Sequence, residues 1–591
     1  MSYVFKKFTW KNWLCVAAIF LLTIVQVFFT MRIVDKVTEI TEAIANAIGT
    51  SDTSAIWQKG GLMVACAAAL CACQVGVQFL ASYTASNIAT RLRDELYVKV
   101  NKFALSDLAG FSTESLITRS TNDIQNIHMA FLYAFRTIFV APITMVWSII
   151  KLIRTASAPL TISTAVWLVL LIIVVVVLMI LVMPRFNKTQ KLMDDLNVAS
   201  RENLTGVRVV RAFNAEEYQE GKFEVVNESY TRLMVFVGRA VALFTPFVMF
   251  VMMGLTLSLL WITAFIINGM GVAEAANVFK NSNSFVMLAS QIIMSFVLLI
   301  TIMILWPRAC VCANRIKEVM LHKESVQDPE NPKEFTEKGT IEFKDVGFAY
   351  PGADKESVSH VTFKVKRGET IAFIGATGSG KTTIINMIPR FADATSGEVF
   401  VDGVNVKEVS QESLRNIIGY TPQRGFLFKG NVRENIAFSN PNLTNDEIIE
   451  AAKIAEADSF VSAKREGYDS PVAQGGTNFS GGQKQRLCIA RSVAKKPEIL
   501  IFDDSFSALD YKTDKVVRGN IKKSLPGTTR VIIAQRVGTI MDADQIVVLD
   551  KGEVVGLGKH EDLVRNCPVY QEIALSQLSE EELGLKKKGG K

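Results

Sequence analysis

The sequence predicts an all-α polytopic transmembrane domain of six helices, followed by an α/β domain built around a phosphate-binding loop. Three observations predict it. The 591 residues are 49% hydrophobic, and the mean hydropathy of +0.27 is high for a soluble protein. Long apolar runs crowd the part before about residue 306, while charge and glycine return after it. In that second part an apolar strand runs straight into a glycine-rich loop and then into a helix.

Apolar stretches of membrane-spanning length lie at roughly 13–31, 61–84, 130–152, 159–183, 241–268 and 284–306. Each is long enough to cross about 30 Å of hydrocarbon. Lys6, Lys7 and Lys11 precede the first run, which lacks a small-residue cleavage site and so reads as a retained span rather than a signal peptide. Those lysines, with Arg91, Arg93, Lys99 and Lys102 after the second span, place the N-terminus in the cytosol; Lys151 and Arg154 count against it. A cytosolic domain after the sixth span requires the same orientation.

The connections at about 86–128 and 184–240 are long, charged and helix-patterned, so the helices extend beyond the bilayer. Phe111–Leu116 and Gly206–Phe213 are expected as breaks forming two cytosolic coupling loops. Gln26, Gln74, Gln78 and Gln291 either line a substrate path or bond between helices, with the structural reading favoured. Arg136 is expected to snorkel to the cytosolic interface. Phe and Met are plentiful in spans five and six, which suits a hydrophobic or amphipathic cargo and equally suits packing.

The net charge of +7 does not indicate nucleic acid, because no basic stripe with interleaved aromatics exists and a C-terminal tail holds Lys586, Lys587, Lys588 and Lys591. Cys66, Cys71, Cys73, Cys310 and Cys312 lie in or beside apolar helices and read as buried small residues. The Cys-x-Cys pairs leave a soft-metal alternative.

After Pro307 and a polar linker, strands are predicted at Thr340–Phe343, Thr370–Ile374 and Ile499–Phe502. The second leads into Gly375-Ala376-Thr377-Gly378-Ser379-Gly380-Lys381-Thr382-Thr383. Glycines let backbone amides converge on phosphates at a helix N-terminus. Lys381 reaches the β- and γ-phosphates, and the Thr382 hydroxyl ligates Mg²⁺. Asp503 ends the third strand, placed to hold Mg²⁺. Ser480, Gly481, Gly482 and Gln483 open another helix and can offer a hydroxyl and bare amides to a second phosphate. The domains are accordingly 1–320 transmembrane, 321–338 linker, 339–580 nucleotide-binding and 581–591 basic tail.

Phosphate loop, Phe479–Gln483 signature, Asp503 strand and Ser507–Asp510 loop occur in the order found in ATP-binding-cassette transporters. The chain resembles half-transporters of their exporter (type IV) fold over nearly its whole length. The resemblance implies ATP and Mg²⁺ as cofactors, Tyr350 stacked on adenine, and Gln423 sensing the γ-phosphate and joining Thr382 and Asp503 around Mg²⁺. It also implies that two such domains pair head to tail, each ATP lying between one phosphate loop and the other domain's signature.

Two departures strike one chemical step. Asp504 stands where hydrolysing members carry the water-polarising Glu, and Gln535 stands where they carry the switch His. Phosphoryl transfer depends on positioning, so a displacement of order 1 Å costs about 10²-fold in rate. Gln cannot carry an imidazolium charge. With Ser480–Gln483 intact and the flanking Gln474–Asn478, the pattern is similar to the degenerate-site subunit of heterodimeric multidrug or lipid exporters. The expectation is a multi-pass plasma-membrane ATPase subunit with a cytoplasmic nucleotide-binding domain, partnered by a second, different half-transporter and moving an amphiphile outward. The alternatives are an exporter-fold importer of a siderophore-like chelate, and an ATP-binding regulatory or channel-like subunit.

Overall fold

The computed structural model describes residues 1–47, 53–155, 158–580 and 583. The basic tail read at Lys586, Lys587, Lys588 and Lys591 lies outside the described residues. Two compact units form: Met1–Val98 with Ile117–Leu321, and Lys99–Leu116 with His322–Lys591.

Among the described residues the first unit has helices and no strand. Among the described residues, six helical stretches are long and apolar enough to cross a membrane: Trp10–Ile44, Ser54–Asn101, Thr113–Arg154, Ala158–Val182, Glu216–Ile267 and Val278–Leu321. Four of the six expected spans fall inside them, and the other two, at about 159–183 and 241–268, each overrun the stretch by one residue. Glu216–Ile267 is one helix of 52 residues. At 1.5 Å per residue that is about 78 Å, more than twice the hydrocarbon thickness. The third stretch is segmented, with a π-helical turn at Arg119–Asp123 and a break between Thr137 and Val140, where Pro142 removes a backbone donor. Arg119 pairs with Glu318 at 2.9 Å and donates to the Arg315 carbonyl at 2.8 Å, tying that turn to the sixth helix. The helix core gathers Val27, Leu171, Leu255, Phe285 and Ile292, all essentially inaccessible.

Among its described residues the second unit contains twelve strands: β1 (Ile341–Phe348), β2 (Val358–Val365), β3 (Thr370–Gly375), β4 (Ser396–Val401), β5 (Val404–Asn405), β6 (Ile418–Thr421), β7 (Gly430–Asn431), β8 (Pro471–Val472), β9 (Ile499–Asp503), β10 (Thr529–Ile533), β11 (Gln545–Asp550) and β12 (Glu553–Gly558). The central sheet has the order β12-β11-β3-β10-β9-β6. Its members are parallel except β12, which pairs antiparallel with β11. Strands β9 and β10 are buried at every position, as expected for a parallel sheet covered on both faces. A smaller antiparallel sheet runs β2-β1-β4-β5.

Within this unit, Lys99–Leu116 lies against the segment after His322. The expected break at Phe111–Leu116 begins where it was placed, the chain being non-helical at Gly110–Ser112, but the short transverse helix lies before it, at Leu105–Ala109, and a further helix starts at Thr113. Ser112 instead starts the third long helix, its Oγ accepting from the Ser115 amide at 3.2 Å. The Ser-Thr-Glu-Ser run is therefore a capping signal rather than a helix interior. Asp107 fixes the transverse helix by accepting from the Ala104 amide (3.0 Å), the Ser325 amide (3.1 Å) and His322 Nε2 (3.2 Å). The other expected break is found where it was placed, as the helix Val207–Ala212 in the first unit, with no buried residue.

Asp402 ties the linker to the small sheet. Its carbonyl accepts from the amides of Thr336 and Glu337, and its carboxylate from the Thr340 amide at 2.8 Å. Burial pushes this carboxyl up to about 6 against the pull of the Thr340 amide, with Glu498 adding repulsion. A folded-state value above the unfolded one contributes stability at pH below about 4 that is lost as the pH rises through about 6. Asp402→Asn is expected to remove that loss, about 3 kcal/mol by the size of the shift. Thermal melts of the solubilised chain should show the variant at least as stable as the parent at pH 7, and the advantage gone at pH 4.

Candidate functional site

The phosphate loop joins the carboxyl end of β3 to the helix Lys381–Met387. Gly380 caps that helix at φ +96°, and a Cβ there would sit 2.3 Å from Val358 Cγ1, so only glycine turns the chain at this point. The Lys381 ammonium lies over the loop, donating to the carbonyls of Gly375 (2.9 Å) and Ala376 (2.7 Å). Burial lowers its pKa, opposed by the carboxylates of Asp504 and Asp503. A concave run of backbone amides with one lysine at its centre suits a polyphosphate.

Parallel pairing of β3, β10 and β9 brings the other predicted groups to the same sheet edge. Asp503 closes β9, and its Oδ1 accepts from the Thr382 hydroxyl at 3.1 Å. Two hard oxygen donors thus meet at one point, which fits Mg²⁺ held partly by phosphate and water. Among the described residues no cluster of three His, Cys, Asp or Glu exists that could hold a metal by itself. Burial raises the Asp503 pKa, and hydrogen bonds from Thr382 and Tyr420 pull it back.

Asp504 takes a left-handed backbone, φ 49°, and is 5% exposed. Its Oδ2 accepts from Gln535 Nε2 at 2.8 Å and from Gln423 Nε2 at 3.2 Å. Burial raises its pKa, and Gln423, Ser507, Lys381 and Gln535 counter the rise. The two predicted replacements and the predicted γ-phosphate sensor therefore form one hydrogen-bonded group, with the Lys381 charge acting on it. Gln423 spends its amide nitrogen on Asp504.

The remaining predicted residues sit apart from this group. Tyr350 packs edge-on against Phe348 with ring centroids 4.9 Å apart, and its hydroxyl lies 3.2 Å from Thr383 Oγ1. Ser480 caps the helix Gly481–Ala494, and Ser480 and Gln483 bond reciprocally in a capping box rather than to the phosphate loop. A Cβ added at Gly481 would meet nothing within 4 Å, so that helix start is open.

Two models of known families match the sequence: ABC transporter transmembrane region over residues 10–296, and ABC transporter over 358–507. An uncharacterized ABC transporter ATP-binding protein of Mycobacterium tuberculosis is 35% identical over 541 residues, covering 91% of this chain and 92% of that one. The chain belongs to the ABC transporters. YfiB of Bacillus subtilis, another uncharacterized ABC transporter ATP-binding protein, is 31% identical across 92% of this chain and 93% of its own length. A bacterial Atm1-family ABC exporter solved with ATP bound superposes with a TM-score of 0.76 at 21% identity, covering 98% of this chain and 99% of that one, which shows the shared fold. This ABC transporter is accordingly a multi-pass membrane protein with a cytoplasmic ATP-binding domain.

Sequence reasoning missed two participants, Tyr420 and Gln577, and named Ser507 only as part of its loop. Tyr420 reaches Asp503 Oδ2 at 3.4 Å, Ser507 Oγ donates to the Asp504 carbonyl at 2.7 Å, and Gln577 bonds the switch peptide. Tyr420 was findable, being three residues before Gln423 on the strand that leads to it. Gln577 carries no local signal.

Lys381→Ala is expected to weaken ATP binding by about 10- to 100-fold, the factor that losing charge-assisted hydrogen bonds carries. Equilibrium titration of the solubilised chain with MgATP measures it.

Proposed function

We propose that this ABC transporter is one half of a heterodimeric exporter, that its own ATP site is catalytically impaired, and that its cargo is a hydrophobic or amphipathic molecule. The observation that carries the reading is the engagement of Asp504. Its carboxylate is one methylene shorter than the Glu of hydrolysing members, and its Oδ2 is already held by Gln423 and Gln535. A carboxylate so occupied is poorly placed to take a proton from an attacking water. Gln535 offers an amide but no imidazolium.

In this reading the Lys381 loop, with Tyr350 on the base, binds ATP for many cycles. Thr382, Asp503 and the Gln423 amide oxygen would hold Mg²⁺, which would supply charge neutralisation to the bound polyphosphate. Ser480, Gly481, Gly482 and Gln483 face the ATP of a partner half-transporter, which supplies the competent Glu and His. ATP-driven closure then switches the membrane helices from inward- to outward-facing, and hydrolysis at the partner's site resets them. The whole assembly resides in the plasma membrane.

The purified chain alone is expected to show little ATP turnover. Asp504→Glu combined with Gln535→His should raise turnover of the chain by about 10²-fold or more. Brisk ATPase from the unmodified chain, or no gain in the double variant despite normal ATP binding, would contradict the reading.

A further inference from the structure

The helix Pro568–Leu575 closes the ATP-binding domain and is anchored by Tyr570 and Ala574, both fully buried. Three residues beyond its end, the Leu578 amide bonds back to the Ala574 carbonyl, and Leu578 packs on the main core. Between these anchors Gln577 projects one side-chain amide onto the switch peptide. Its Nε2 donates to the Gln535 carbonyl at 2.8 Å, and its Oε1 accepts from the Val537 amide at 2.9 Å. One planar group thus grips the backbone on both sides of Arg536.

Each contact has a local reason. Val537 opens the short helix Val537–Ile540, whose N-cap Arg536 supplies no side-chain bond, so the Val537 N–H is an orphan donor that Gln577 satisfies. The Gln535 contact does something else, because it fixes the peptide from which the Gln535 side chain reaches Asp504 at 2.8 Å. Arg536 extends the chain of bonds outward, donating to the Leu509 carbonyl at 3.2 Å and the Ser507 carbonyl at 3.4 Å. The C-terminal segment, the switch peptide, Asp504 and the Ser507–Asp510 loop are therefore bonded in series.

We propose that Gln577 is a positioning residue for the switch: the C-terminal segment latches Gln535 against Asp504 and thereby sets how long nucleotide stays at the Lys381 site. The latch acts through the switch backbone and touches no nucleotide. It operates whether or not that site hydrolyses ATP, so it stands apart from the heterodimer reading. Because Gln577 is itself exposed, replacing it removes the latch without opening the core.

Two variants separate latching from simple helix capping. Gln577→Ala loses both bonds. Gln577→Glu keeps an acceptor for the Val537 amide but has no donor for the Gln535 carbonyl and repels it. The full chain, reconstituted in lipid nanodiscs, is loaded with a fluorescent ATP analogue, and release is timed alongside amide hydrogen exchange. Gln577→Ala should speed release about 2- to 10-fold, the factor one hydrogen bond carries, and accelerate exchange at Val537. Gln577→Glu should speed release equally while Val537 stays protected, and β10 should exchange as in the parent in both. Unchanged release in both variants, or release that changes only together with exchange across β10, would overturn the proposal.

Discussion

Oδ2 of Asp504 accepts two amide hydrogens, and most of the chemistry of this domain follows from that one acceptor. Burial makes an unpaired carboxylate costly at this position, so the hydrogen bonds from Gln535 and Gln423 stabilise it as a charged acceptor. Both bonds fall on Oδ2, so together they fix the orientation of the carboxylate. The carboxylate is thereby oriented toward Gln423 and Gln535. Lys381, half-buried and in the field of both aspartates, completes a group suited to holding a polyphosphate.

That group exists because of the sheet. Strands β3, β10 and β9 run parallel and in register, so Gly375, Ile533 and Asp503 end at one edge. Each strand end delivers one component: the phosphate loop, the switch and the acidic pair. Strands buried on both faces are locked in register by the packing of both sets of side chains, so the positions are fixed to within a hydrogen bond. The left-handed turn at Asp504 then directs its carboxylate back toward Gln423 and Gln535 rather than along the strand.

The chemistry-bearing parts of this arrangement were legible in the sequence, because a strand, a glycine-rich turn and a helix carry local signals that survive folding. Asp503 with Thr382, and Asp504 with Gln423 and Gln535, are brought together as their motifs imply. The spans were legible for a similar reason: twenty apolar residues have few other homes. The transverse helix was misplaced by about six residues, because Ser112-Thr113-Glu114-Ser115 reads equally as a break or as a helix start, and only the Ser112 cap decides between them. Gln577 was missed since its role comes from tertiary contact, the residue lying 42 positions from the peptide it holds. Nothing in a single chain's pattern announces such a pairing.

Under the proposed function, nucleotide is held at the Lys381 site and cleaved at the site of the partner. Vanadate trapping of a photoreactive ATP analogue in the transporter purified with its partner tests this most directly. The trapped hydrolysis product should crosslink to the partner polypeptide, while this chain carries uncleaved triphosphate. Equal trapping of cleaved nucleotide on both polypeptides, or trapping on this chain alone, would contradict it.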